Sequence, residues 1–171
     1  DVNAIAKIAV NTHLAGAAGV VTGAALTRLI GGKTDIIMML NGALAGLVAI
    51  TAEPLTPSPI TAMIIGSVGA VIMYYGTKLL EHLRLDDVVG AIPVHLFAGI
   101  FGTLVVPFTN MNTSFGIQFL GTISVCAFSF GLSYIVFRLM KETTGLRISK
   151  AAEKLGTDKA EIGVAAYSIR D

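Results

Sequence analysis

Three histidines, His13, His82 and His95, are the side chains of this sequence that exchange protons near neutral pH. A neutral imidazole donates from one ring nitrogen and accepts at the other, so it can hold a small hydrogen-bonding substrate or relay a proton. His95 follows Pro93 in Ile92-Pro-Val-His95, with uncharged sequence on both sides. His13, in Asn11-Thr12-His13, serves equally well as a hydrogen bond between helices or as part of a path. His82, in Glu81-His82-Leu83-Arg84, reads as a solvated loop residue. The pair Asp86-Asp87 is read as a helix cap in preference to a cation site. A single cysteine, Cys126, excludes an internal disulfide, and its apolar surroundings mark it as a packing residue. The apolar stretches contain no paired carboxylates. The chain has no metal-ligand spacing, no Gly-rich phosphate loop and no nucleophile with a base at hand. It is therefore read as a non-enzyme that needs neither cofactor nor metal.

The elements that must position these groups follow from composition. Of 171 residues, 54% are hydrophobic and only 13% are charged, with a mean hydropathy of +0.77. Soluble domains carry about twice that charged fraction. A net charge of +1 leaves no clustered basic face for nucleic acid. Five stretches lack Asp, Glu, Lys and Arg: Ile8–Thr27, Ile36–Ala52, Ile60–Thr77, Val88–Phe108 and Ile117–Phe137. Each is close to the roughly 20 residues a helix needs to cross the hydrocarbon core. Strand spans would be half as long and would alternate in polarity, as these do not. A secretory signal peptide does not fit either, since apolar stretches recur along the chain and no cleavage pattern follows the first. The expected fold is all-α, a polytopic bundle of five transmembrane helices over residues 1–140 with a soluble tail over 141–171.

The connectors set the orientation. Arg28, Lys33, Lys78, Arg84 and the seven basic residues from Arg138 onward all fall on one side of a five-span topology. The connectors Glu53–Pro59 and Thr109–Gly116 contain no Lys or Arg. Lys7 alone lies at the other end, where a long side chain can snorkel outward. Positive charge retained inside places the tail in the cytoplasm. Nineteen glycines, including the pairs Gly19/Gly23 and Gly42/Gly46 on single helix faces, allow close backbone approach between helices.

Within this frame His95 lies seven residues into the fourth span, roughly 10 Å below a helix start at Val88. Pro93 removes the bond its N–H would make to the Val89 carbonyl, an interruption tolerated where backbone is buried in protein or lines a cavity. A titratable side chain at that depth faces protein or a lumen, and no acidic residue lies in any span to pair with it. Asn41, heading Asn41-Gly-Ala-Leu-Ala-Gly-Leu-Val-Ala-Ile-Thr51, is expected to bond a neighbouring backbone.

Taken in order, these pieces resemble the C-terminal half of the ammonium transporter (Amt) family. The carriers are Val10-Asn-Thr12, Gly32-Lys-Thr-Asp35, Asn41 to Thr51, Leu85-Asp-Asp87, Ile92-Pro-Val-His95 with Gly99 and Gly102, and Gly145-Leu-Arg147. The related Rhesus proteins share the Asp-Asp, His and Gly pattern, but Gly145-Leu-Arg147 favours the Amt branch. The resemblance implies an eleven-helix fold of which this chain supplies about the last five helices. It implies a homotrimer in the plasma or inner membrane, with one pore per subunit that carries ammonium or ammonia. His95 matches the second of two facing pore histidines, with Pro93, Asp86, Asp87 and Asn41 as structural residues near it. The first histidine, the aromatic gate and the outer cation site belong to helices without counterparts here, so a piece of a longer protein is expected, as the start at Asp1 also suggests. An alternative within the resemblance is an ammonium sensor whose membrane domain is coupled to a signalling module.

The tail, by the same resemblance, is regulatory through Gly145 and Arg147, touches the neighbouring subunit and, in some members, receives a PII-type signalling protein. Arg147 is placed to fork onto cytoplasmic carbonyls or an acidic group such as Asp87. Lys150-Ala-Ala-Glu-Lys154 is expected to form a short exposed helix. Gly156-Thr-Asp158 and Ala166-Tyr167 follow the family pattern, whereas Ile162-Gly163-Val164 replaces its usual His-Gly-Glu. Ala160 stands where plant members hold a regulatory threonine, which removes phosphorylation control of that type.

The orientation is testable with single cysteines in the full-length protein, with Cys126 replaced by serine. A cysteine at Ser58 should react with a membrane-impermeant maleimide in intact cells, and one at Ser149 only after permeabilisation. The reverse pattern would overturn the assignment.

Overall fold

The structure is a computed structural model that describes residues 1–166; Tyr167 and the stretch Ser168–Asp171 lie outside the described residues. Among the described residues there are helices and turns and no strand. The helices are α1 (Val2–Gly31), α2 (Ile36–Ile50), α3 (Pro59–His82), α4 (Ala98–Thr109), α5 (Phe115–Thr143) and α6 (Lys150–Leu155). A π-helical segment, Ile92–Phe97, leads directly into α4, and a second one follows α6 at Asp158–Ile162.

Helix starts are set by side chains that accept the orphan N–H groups of a first turn. Asp1 accepts from the Asn3 N–H, Asp35 from Met38 and Ser58 from Thr61. Pro59 then occupies the first helical position of α3, where its missing N–H costs nothing. Thr27 makes the α1–α2 turn compact, because its hydroxyl donates to the carbonyls of Gly23 and Ala24 and accepts from the Asp35 N–H.

Among the described residues four stretches are long and apolar enough to cross a membrane: Val2–Gly31, Pro59–His82, Ile92–Thr109 and Phe115–Thr143. α2 is apolar but has 15 residues, about 22 Å of helix against a hydrocarbon core of roughly 30 Å. The expected second span is therefore a shorter helix than its neighbours. Its end is dictated by Glu53-Pro54 and the turn in which the Glu53 N–H bonds the Ile50 carbonyl. α1, α3 and α5 outrun their charge-free stretches, since Lys7, Arg28, Lys78 and Arg138 sit inside helices whose ends project beyond them.

The chain divides into two units, Asp1–Ile123 and Ser124–Asp171. In the first, α1, α2 and α3 pack on one another, and α4 with its π-helical lead packs on α2 and α3. Small residues decide these contacts. A Cβ at Gly42 would lie 2.6 Å from the Gly19 carbonyl oxygen, and one at Gly23 would lie 2.8 Å from the Met38 oxygen. Gly66 meets the Ala15 backbone and Gly102 the Ala49 backbone in the same manner. One buried cluster joins Ala15, Ala49, Ile50, Ala62 and Ile65; the other joins Ala45, Met73, Val94 and Ala98.

In the second unit Arg138 pairs with Glu142 one turn on, and Phe130 stacks on Tyr134. None of the residues of α5, which begins in the first unit, is buried. The expected tail helix is present as α6, capped by Ser149. Beyond it the Ala166 N–H donates to the Asp158 carboxylate at 2.8 Å, and with the Lys159 N–H holds that carboxyl below its usual pKa.

Gly42→Ala should separate α1 from α2, because a backbone carbonyl cannot swing aside as a side chain can. A loss of about 1–3 kcal/mol is expected for such overpacking, read as a lowered melting temperature of the full-length protein in detergent. Gly31→Ala, where nothing lies within 4 Å of the added carbon, should leave it unchanged or raised. Equal melting temperatures for both variants would sink this account of the helix contact.

Candidate functional site

Two polar clasps, one at each end of the first unit, interrupt an otherwise apolar bundle. The first surrounds the segment that carries His95. The expected helix opening at Val88 moves to Ile92, because Val88 and Val89 belong to the turn and Gly90 adopts φ 75°. Asp87 makes the cap: its two carboxylate oxygens accept the N–H groups of Ala91 at 2.8 Å and Ile92 at 2.9 Å. Asp86, beside it, is exposed. His95 therefore lies three residues past the helix start, roughly 5 Å along the axis, about half the depth expected.

Pro93 sits in the first turn of the π-helical segment, where a missing N–H strands no helical acceptor; the Val89 carbonyl belongs to the turn before it and is served by the side chain of Asn41. Asn41 Nδ2 donates to the Val89 oxygen at 3.1 Å across 48 residues of sequence. From there the chain winds as a π-helix, and the Ala98 N–H reaches back five residues to the Pro93 carbonyl as well as three to that of His95. Such wide turns arise where an extra residue is accommodated in a helix, and they recur at functional positions.

The buried face of this segment is formed by Pro93, Val94 and Ala98. Gly76 of α3 provides the seat, since a Cβ there would lie 2.6 Å from the Phe97 ring and 3.0 Å from the Pro93 Cβ. Val94 and Ala98 join Met73 and Ala45 in a core cluster. With those positions turned inward, His95 and Leu96 point away and are exposed. Among the described residues the His95 ring makes no hydrogen bond. A cleft of about 190 Å³ beneath the segment is bordered by Glu81, Asp86, Asp87 and Pro93.

The other histidines lie apart from this face. His13 Nδ1 is 2.7 Å from the Ala9 oxygen, a bond within its own helix and not one between helices, and the residue is exposed. His82 is the exposed last residue of α3, not a loop residue, because Leu83 N–H still bonds the Leu79 carbonyl. In the tail, Gly145 turns the chain at φ 80°. Arg147 departs from the expected fork onto carbonyls or Asp87. Its Nη2 and Nε reach Glu153 at 2.6 and 3.4 Å, a carboxylate six residues away in the first turn of α6.

The second clasp was not singled out from sequence. Asn11 is fully buried, and its Nδ2 donates to the carbonyls of Pro54 at 2.8 Å and Pro57 at 2.9 Å. Glu53 accepts the N–H groups of Leu55 and Thr56 on one carboxylate oxygen and Asn110 Nδ2 on the other. The signal available was the proline run itself. A loop with three prolines leaves its carbonyls in need of donors, and Asn11 is the amide of α1 that lies inside the charge-free stretch Ile8–Thr27.

A profile of the Ammonium Transporter Family matches residues 1–167. The ammonium transporter Amt2 of Archaeoglobus fulgidus is 40% identical over 95% of this chain and 39% of its own length. The ammonium transporter of Corynebacterium glutamicum is 32% identical over 98% of this chain and 40% of its own length. Among solved structures, one named Sensor Amt Protein superposes with a TM-score of 0.84 at 31% identity, over 92% of this chain and 42% of that one. Candida albicans Mep2 gives 0.78 at 27% identity, over 92% and 39%. The chain thus spans about two-fifths of the length of the relatives it matches. Ordered motifs, helical architecture and these similarities agree: the chain belongs to the ammonium transporter family, a family of membrane transporters and not of enzymes.

Proposed function

We propose that this chain forms about the last five helices of an ammonium-transporting subunit, with His95 lining the conduction path. The observation that carries the reading is the placement of His95. An imidazole without a hydrogen-bond partner among the described residues stands on the exposed side of an apolar helix whose opposite side is packed against α2 and α3. A polar ring is rarely left on a membrane helix without a role, and this one faces away from every helix packed on its segment. The family resemblance supplies its counterpart, a second histidine from the part of the subunit that this chain does not contain.

The physics favours such a path for ammonia. Moving an unpaired cation into hydrocarbon costs tens of kcal/mol by Born estimates, and several after relaxation. Ammonium that leaves its proton outside avoids most of that penalty. A neutral imidazole then offers ammonia a donor or an acceptor in transit. On this reading the subunit is one of three in a homotrimer of the plasma or inner membrane, each with its own pore. The tail after Lys141 is a cytoplasmic regulatory segment, with Gly145 and Arg147 in its first turn and PII-type proteins as the soluble partner class.

A second reading has its own support, since one structural neighbour carries the name of a sensor. A sensor of this family would bind ammonium and pass the signal on without conducting.

His95→Ala in the full-length protein separates these readings. For a transporter, ammonium uptake in reconstituted vesicles should fall, or selectivity over potassium should change, by about tenfold or more, the lower range for a misplaced polar group in a reaction path. Parent protein that binds ammonium but drives no flux would favour the sensor. Parent-like flux and selectivity in a correctly assembled H95A variant would remove His95 from the path.

A further inference from the structure

We infer that Asn41 is the positioning residue for His95, acting through the backbone wind of Ile92–Phe97. The inference rests on the proposed role of His95 and adds a residue on a different helix that sets where the imidazole points.

Three contacts carry it. Asn41 Nδ2 donates to the Val89 oxygen in the turn that leads into the segment. Asp87 takes the N–H groups of Ala91 and Ile92, so the same short stretch is held by its donors as well as by its acceptor. Gly90 lies between the two holds at φ 75°, and a Cβ there would come within 2.6 Å of Asn41 Nδ2. The amide and the glycine therefore mesh, and neither can shift without the other. Downstream the wind is π, with the Ala98 N–H reaching the Pro93 carbonyl.

A π turn holds one more residue than an α turn, and each residue of an α-helix advances about 100° around the axis. Pro93, Val94 and Ala98 are fixed by packing on α2 and α3. The angle at which His95 leaves the segment is set jointly by that packing and by how the preceding turn is held. Without the amide donor the Val89 carbonyl loses its protein partner, and the turn loses one of its holds against rewinding. Rewinding rotates His95 away from its present direction.

The test uses the full-length protein with Asn41→Asp, which keeps the side-chain shape but loses the donor, together with Asn41→Gln, Asp87→Asn, His95→Ala and the doubles with His95→Ala. Uptake of ammonium and of methylammonium is measured across pH. N41D should lower ammonium uptake about tenfold, the lower range for a displaced group in a reaction path, and shift the methylammonium ratio in the same direction as H95A. N41D added to H95A should change nothing further, since both act through one imidazole. N41Q, which retains an amide, should recover most of the uptake. D87N should likewise be non-additive with H95A, and it carries the test if N41D yields no folded protein. Additive losses would overturn the inference, as would parent-like transport in folded N41D. A silent H95A would instead remove the reading on which the inference rests.

Discussion

Inside hydrocarbon no water completes a hydrogen bond, so each interruption of a helix has to be repaired by the protein itself. The polar side chains of this bundle are distributed accordingly. Asn41 serves the Val89 carbonyl in the turn before the π-helical segment, and Asp87 serves the N–H groups at its entry. Asn11 serves two carbonyls of the proline loop, while Glu53 serves that loop's N–H groups and also holds Asn110. Thr27 closes the α1–α2 turn. His95 is the polar group of its segment that this scheme leaves over among the described residues, which is the ground for the path role proposed for it.

Close packing makes the repairs reach. The amide of Asn41 is short, and it meets the chain before Pro93 only because α2 lies tight against the π-helical segment through Ala45, with Val94 and Ala98 opposite. On the other side α2 is drawn to α1 by Gly19, Gly23, Gly42 and Gly46, whose backbones approach to where a methyl group would collide with a carbonyl. Lipid offers no hydrophobic drive for this association, so close van der Waals contact between small residues takes that part. Position at the site is thus inherited from residues that have no polar atom in their side chains.

Much of this was legible in the sequence, and the failures have physical reasons. Charge-free stretches located every long helix, because a buried charge is excluded from lipid more strictly than any propensity acts. They misjudged the ends, since helices start and stop at caps and turns, some beyond the apolar stretch and some within it. The fourth helix shows this: Val88 is apolar and invites a helix, yet Asp87 directs its carboxylate to Ala91 and Ile92, and Gly90 breaks the wind between them. The π wind left no periodic trace, as one extra residue in six cannot be read from so apolar a stretch. Asn41 could be expected to bond backbone, but its partner lies 48 residues on, beyond local pattern. For Arg147 the sequence offers cytoplasmic carbonyls or an acidic group such as Asp87, whereas the structure pairs it with the nearer Glu153; local pairing orders fewer residues.

The shortness of α2 has a consequence for the lipid as well as for the protein. A helix of about 22 Å beside neighbours of 24 and 30 residues ends below the level that they reach. A bilayer of ordinary thickness meets such an element by local thinning or by letting headgroups and water follow its ends inward. Both ends of α2 are built for that wetter depth: Asp35 caps one, and Thr51 with Glu53 closes the other. The membrane around this family member should therefore be dimpled where α2 stands, and its performance should vary with acyl-chain length more than a bundle of uniform spans would.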